Sequence, residues 1–131
     1  MATAPQFAAT PRASATLTPA TLTLSLTAPA TVTTLWTAGA AGSKIDIIRV
    51  NQVLTTAASG IINFFIYTGT VYYLFDTYTF LATTLSATAE AQPADIYYNA
   101  LVLQSGYSLV VSTTVAAGQS AFSLVALGGD F

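Results

Sequence analysis

The feature that most limits what this chain can fold into is a pair of β-prone runs separated by two turn residues. Residues 61–68 and 71–81 are dense in Ile, Val, Phe and Tyr, side chains that suit a pleated, half-buried surface, and Gly69-Thr70 lies between them. The spacing predicts a β-hairpin. Leu22, Leu24 and Leu26 alternate with Thr21, Thr23, Ser25 and Thr27, a period of two that predicts a strand with one apolar face, ended by Pro29. Residues 32–37 begin a further run around Trp36, and 38–43 are a turn by composition. In 44–54, Ile45, Ile47 and Val50 are expected on one side, and Ile48 beside Ile47 points to a bulge or to burial on both faces.

After a loop at 55–60 and the hairpin, residues 82–94 read as a Thr/Ala-rich connection that holds Glu90 and Pro93. Three more runs, 95–103, 107–115 and 120–127, are punctuated by Ser105-Gly106 and Ala117-Gly118-Gln119, and the chain closes on Gly128-Gly129-Asp130-Phe131. No stretch has the 3.6-residue period of an amphipathic helix. About eight short strands with turns at short spacing imply an all-β fold, an antiparallel β-sandwich or jelly-roll-like barrel. A chain of 131 residues is one domain. Its boundaries are read as an extended N-terminal arm, 1–15, broken by Pro5 and Pro11, followed by a sandwich domain, 16–131. The arm either folds back on its own domain or is held by a neighbouring subunit.

Charge excludes several functions. Asp, Glu, Lys and Arg make up 6% of the residues, against about a quarter in ordinary soluble domains. With Arg12, Lys44 and Arg49 as the fixed cations and a net charge of -2, there is no stripe to neutralise phosphates. Neither nucleic acid nor an anionic membrane surface is an expected partner. Hydrophobic residues reach 53%, yet no apolar run approaches the ~18 residues of a spanning helix. The first residues lack a basic segment followed by an apolar block, so the chain is expected to remain where it is made. The absence of Cys fits a reducing cytosol. A surface of Thr, Ser, Ala, Asn and Gln is poorly defended against association, which implies that partners cover much of it.

Catalytic chemistry has little to work with. There is no His and no Cys, so the commonest general base, the thiol nucleophile and most transition-metal ligands are missing. The five acids, Asp46, Asp76, Glu90, Asp95 and Asp130, fall in no acidic motif and are expected as solvated loop or strand-edge residues. No phosphate loop and no calcium-loop pattern is present, so the reading is non-enzymatic, with no cofactor and no metal. Trp36, Tyr67, Tyr72, Tyr73, Tyr78, Tyr97, Tyr98 and Tyr107 could stack a sugar or anchor an interface, or pair across strands within the sandwich. In Tyr72-Tyr73 and Tyr97-Tyr98 neighbouring side chains leave opposite faces of a strand, so one member of each pair should face away from the core. Phe131 is expected to tuck into a groove of its own domain or of a neighbour; the outer-membrane barrel that a terminal aromatic can mark lacks its aromatic girdles here.

The run VTTLWTAGAAGSKIDIIRV at 32–50, the hairpin FFIYTGTVYYLFD at 64–76 and the close AFSLVALGGDF at 121–131 resemble small virion proteins of tailed bacteriophages. That resemblance covers roughly residues 16–131. It implies a capsid decoration, or cement, protein that sits on the assembled head, often as a homotrimer, and braces neighbouring major capsid proteins. The implied location is the virion surface after assembly in the host cytoplasm, and the resemblance brings no catalytic residue. In that setting the arm, with Pro5, Phe7 and Pro11, would clamp a neighbour, while Tyr72, Tyr73, Tyr97, Tyr98 and Phe131 would supply interface contacts. The alternatives are a tail or head-fibre adaptor or receptor-binding module, and a carbohydrate-binding β-sandwich.

Overall fold

The structure is a computed structural model that describes residues 9–18, 23–53, 58–84, 86, 94–115 and 121–131. Eight strands run in order: β1 (Thr10–Leu17), β2 (Thr33–Thr37), β3 (Ser43–Gln52), β4 (Gly60–Tyr67), β5 (Tyr72–Phe80), β6 (Ala94–Leu103), β7 (Ser108–Thr113) and β8 (Phe122–Asp130). They form two four-stranded antiparallel sheets, ordered β1-β8-β3-β6 (sheet A) and β2-β7-β4-β5 (sheet B). Only β4 and β5 are both consecutive and hydrogen-bonded; every other connection passes from one sheet to the other. That winding is the jelly roll, two interleaved Greek keys closed into a sandwich.

The predicted hairpin is β4–β5, with Gly69 at φ +96° in its turn and Thr68 N–H donating to Val71 O at 3.1 Å. Between the sheets lie Trp36, Ile45, Ile48, Val50, Ile62, Phe64, Phe80, Leu103, Leu109, Val111, Phe122 and Leu124. The Phe80 and Phe122 rings, from opposite sheets, are 4.6 Å apart and tilted, which ties the two layers where β5 ends and β8 begins. The central strands of sheet B, β4 and β7, are buried on their second face as well: Phe65 and Val110 alternate out of the inter-sheet core yet have almost no exposure.

Four expectations change. Residues 23–26 do not form a strand. Thr23 to Val32 is irregular, Leu24 is 72% exposed, and Leu22 falls outside the described residues. Local hydrogen bonds take over: Ser25 Oγ accepts from Ala28 N–H at 2.9 Å, and Thr31 N–H donates to Thr23 Oγ1 at 3.3 Å. Residues 10–15, expected in the arm, belong instead to β1, an edge strand of sheet A that pairs with β8 from Ser123 to Asp130, and residues 1–8 of the expected arm lie outside the described residues. Pro11 is tolerated because an edge strand has ladder partners on one side only. Finally, Ile47 does not share a side with Ile45 and Val50. The register slips between Ile45 and Ile47, so Ile45, Ile48 and Val50 enter the core and Ile47 leaves it. β8 also runs past 127 through Gly128-Gly129 to Asp130.

Candidate functional site: two edges of the sandwich

The fold gathers the four predicted tyrosines on one edge. β5 is the outer strand of sheet B and β6 the outer strand of sheet A, and the two edges are bridged by side chains. The Phe75 and Tyr98 rings are 5.3 Å apart, and the Tyr98 hydroxyl donates to Asp76 Oδ2 at 2.9 Å. Burial and the neighbouring Asp76 carboxylate hold the Tyr98 hydroxyl well above the usual phenol range, so it stays a neutral donor. Tyr98 packs against the core while Tyr97 is 73% exposed; Tyr72 is half-buried while Tyr73 is 58% exposed. One member of each pair thus faces outward, as adjacent strand residues must. Tyr72 stacks on Tyr67 at 4.4 Å and meets Phe65 edge-on at 6.2 Å. The result is a strand whose consecutive Tyr73, Leu74 and Phe75 all stand in solvent, with no Lys, Arg or Pro between 71 and 81 to guard it.

The opposite edge, where β1 meets β2, carries a cluster that residue patterns did not single out. The Arg12 guanidinium lies 3.9 Å over the Trp36 ring, faces Asp130 Oδ2 at 2.9 Å through Nε and donates through Nη2 to Thr37 O. The Ser43 hydroxyl donates to Asp130 Oδ1, and Gly39 N–H donates to Ser43 Oγ at 2.9 Å. These donors hold the Asp130 carboxyl below its ordinary range, Ser43 first, with burial opposing and Arg12 adding to the effect. One carboxylate therefore joins β1, β3, β8 and the turn after β2. Gly39 is required by space, since a Cβ there would lie 2.8 Å from Asp130 Cγ. The hydrophobic reading of the sequence could not find this cluster, because its members are 12, 36, 43 and 130 and meet only through the winding of the strands.

The remaining expected contacts divide. Pro11 lies on β1 opposite Gly129, and Phe131 is half-buried, its N–H on Gly42 O at 3.2 Å and its ring beside Gly42, so it rests on its own domain. Pro5 and Phe7 lie outside the described residues. The acids expected as solvated residues are mostly engaged. Asp46 pairs with Lys44 at 2.8 Å, Asp95 takes Arg49 through two bonds of 2.6 Å, and Asp130 and Asp76 are held as above. Glu90 falls outside the described residues. Among the described residues no three acidic side chains come together to hold a metal ion, and no pocket opens in the surface. What the arrangement can do chemically is present flat apolar surface. No family model, no curated protein and no solved structure matches the chain.

Proposed function

We propose that this protein is a non-enzymatic structural subunit of a tailed-phage virion, a decoration protein that braces neighbouring major capsid proteins on the assembled head. The observation that carries this reading is the open β5–β6 edge, where Tyr73, Leu74, Phe75 and Tyr97 stand in solvent with no guarding Lys, Arg or Pro on β5. Such an edge is a liability for a subunit that stays alone and an asset for one that is covered on assembly. The jelly roll, frequent among capsid domains and lectins, is compatible with the role without requiring it.

In this reading the protein acts by mass action. A subunit that binds only the assembled shell shifts the equilibrium against shell opening, and many weak identical contacts add over a lattice. The test is to add the protein to purified heads that lack it and to follow the heat stability of the shell. Saturable binding near one subunit per lattice site, with a raised disruption temperature, is the expected result. Heads that are equally stable with and without it, or binding in a few copies per particle, would sink the decoration role, the second outcome favouring a tail or fibre position. Saturable glycan binding lost on replacing Tyr73 or Tyr97 would instead favour the lectin class.

A further inference from the structure

We infer that the outer face of sheet A is a self-complementary surface, and that two copies of the chain pack these faces together about a two-fold axis parallel to the strands between β8 and β3. The argument begins with register. On this face Ala13 stands across from Leu127, Leu127 across from Ile47, and Ile47 across from Tyr97, an apolar row that spans all four strands. The row on one side is Ala15, Val125, Arg49 and Asp95; on the other it is Pro11, Gly129, Lys44 and Val102. None of these belongs to the core cluster between the sheets, and Leu17, Tyr97, Val102 and Leu127 are exposed.

The central row carries a size gradient, from Ala13 on β1 through Leu127 on β8 and Ile47 on β3 to Tyr97 on β6, while the flanking rows place their longest side chains, Arg49 and Lys44, on β3. A two-fold axis along the strands reverses the strand order while keeping each row opposite itself. Tyr97 then meets Ala13 of the second copy, Ile47 meets Leu127, Arg49 meets Val125, Asp95 meets Ala15, Lys44 meets Gly129, and Val102 meets Pro11. Tyr97, Arg49 and Lys44 are each set against a smaller residue, Ile47 and Leu127 meet as apolar equals, and no like charges meet, a reciprocal pattern that suits an isologous interface. Both ion pairs, Lys44 with Asp46 and Arg49 with Asp95, flank the apolar row and carry their own counter-charges, so a second copy meets a neutral rim around an apolar centre.

Size decides for a sheet of the same dimensions. Four strands at about 4.8 Å spacing and ten residues at about 3.3 Å rise give a flat footprint of about 600 Å². Corrugation by side chains brings that near the roughly 800 Å² per partner of a stable interface. Two sheets of one twist pack aligned within about 30°, so the same face of a second copy matches in width, length and curvature. This pairing stands apart from the virion reading, because it concerns the isolated protein in solution and, although it takes up Tyr97, leaves Tyr73, Leu74 and Phe75 of β5 free for the shell.

Sedimentation equilibrium on the purified full chain tests it. The wild type is expected to dimerise with a Kd of about micromolar order. Tyr97→Ala leaves a hole and Ala13→Tyr overfills one, so each is expected to raise Kd about tenfold or more. The double variant Tyr97→Ala/Ala13→Tyr moves the large residue to the other strand and is expected to recover to within about threefold of wild type, a non-additivity that only direct pairing gives. Both positions are exposed, and far-UV circular dichroism confirms the fold of each variant. A wild type that is monomeric at high concentration, single variants without effect, or a double variant no better than the singles each overturns the inference. Head binding measured on Ala13→Tyr, which lies on β1 away from the β5–β6 edge, shows separately whether the decoration role stands.

Discussion

Replacing Gly128 by Ala tests the central joint of sheet A. Gly128 is not among the glycines with positive φ, so its requirement is space and not backbone freedom. It faces Ile45 where the β3 register slips, and a Cβ built on it would lie 2.0 Å from the carbonyl oxygen of Lys44 and 2.9 Å from Ile45 Cα. Carbon and oxygen approach comfortably at about 3.3 Å, so β8 must withdraw by about 1.3 Å. Ladder bonds of about 2.9 Å cannot stretch that far and remain bonds. Losing two of them beside an overpacked contact costs about 3 kcal/mol or more. At about 4 °C per kcal/mol for a domain of this size, the midpoint falls by about 12 °C. Gly69→Ala is the matched control. Its φ of +96° imposes strain, but nothing lies within 4 Å of the added methyl, so the cost is about 1–2 kcal/mol. Thermal unfolding followed by circular dichroism and by calorimetry reads both variants. A Gly128→Ala midpoint within about 2 °C of wild type, or a larger loss at Gly69 than at Gly128, would refute the steric account.

Other perturbations follow from the same geometry. Asp130 has a folded pKa below its unfolded one, so its contribution is present above the ordinary carboxylate range and is lost as pH falls through and below about 4. Asp130→Asn should therefore flatten the acid limb of a plot of unfolding midpoint against pH, and an unchanged limb would count against the clamp. Arg12→Lys keeps charge but removes the planar stack on Trp36, and is expected to cost about 1 kcal/mol with a shift in tryptophan emission; an identical emission spectrum would contradict the contact. Phe122→Ala removes a fully buried ring that packs on Phe80, and denaturant unfolding should show a loss of about 3–5 kcal/mol. A loss under about 1 kcal/mol would mean the two sheets are not tied there.

How much was legible follows from where each signal resides. The β4–β5 hairpin is legible because it is the one pair of neighbours in both chain and sheet, so the Gly69 turn and the aromatic runs describe one local object. Residues 10–15 of β1 read as part of an arm because Ala13 and Ala15 alternating with Ser14 and Thr16 carry almost no hydropathy contrast. Residues 22–26 misled in the opposite sense: their leucines alternate as strongly as any, but Thr23 and Ser25 spend their side-chain oxygens on local turns. Outward Tyr73 and Tyr97 could be anticipated from adjacency alone. The Arg12, Trp36, Ser43 and Asp130 cluster could not, since it depends on β1 lying beside β8 across more than a hundred residues of chain.

The few charges are not spread for solubility. Arg12, Lys44 and Arg49, the whole set of cations, each pair with an acid, and all three pairs lie on sheet A. One pair clamps the β1 edge, and the other two border the apolar row on the outer face. Sheet B contributes Asp76 alone among the described residues, and that carboxylate is taken up by Tyr98. Exposed pairs of this kind add little to stability, so placement is the more informative property. Charge here orients a surface and discourages wrong registers, because a shift of one strand would bring Arg49 or Lys44 of one copy toward a cation of the other. Low overall charge and ordered local charge then serve one end: a chain with little self-repulsion whose proposed pairing through the outer face of sheet A is still directional.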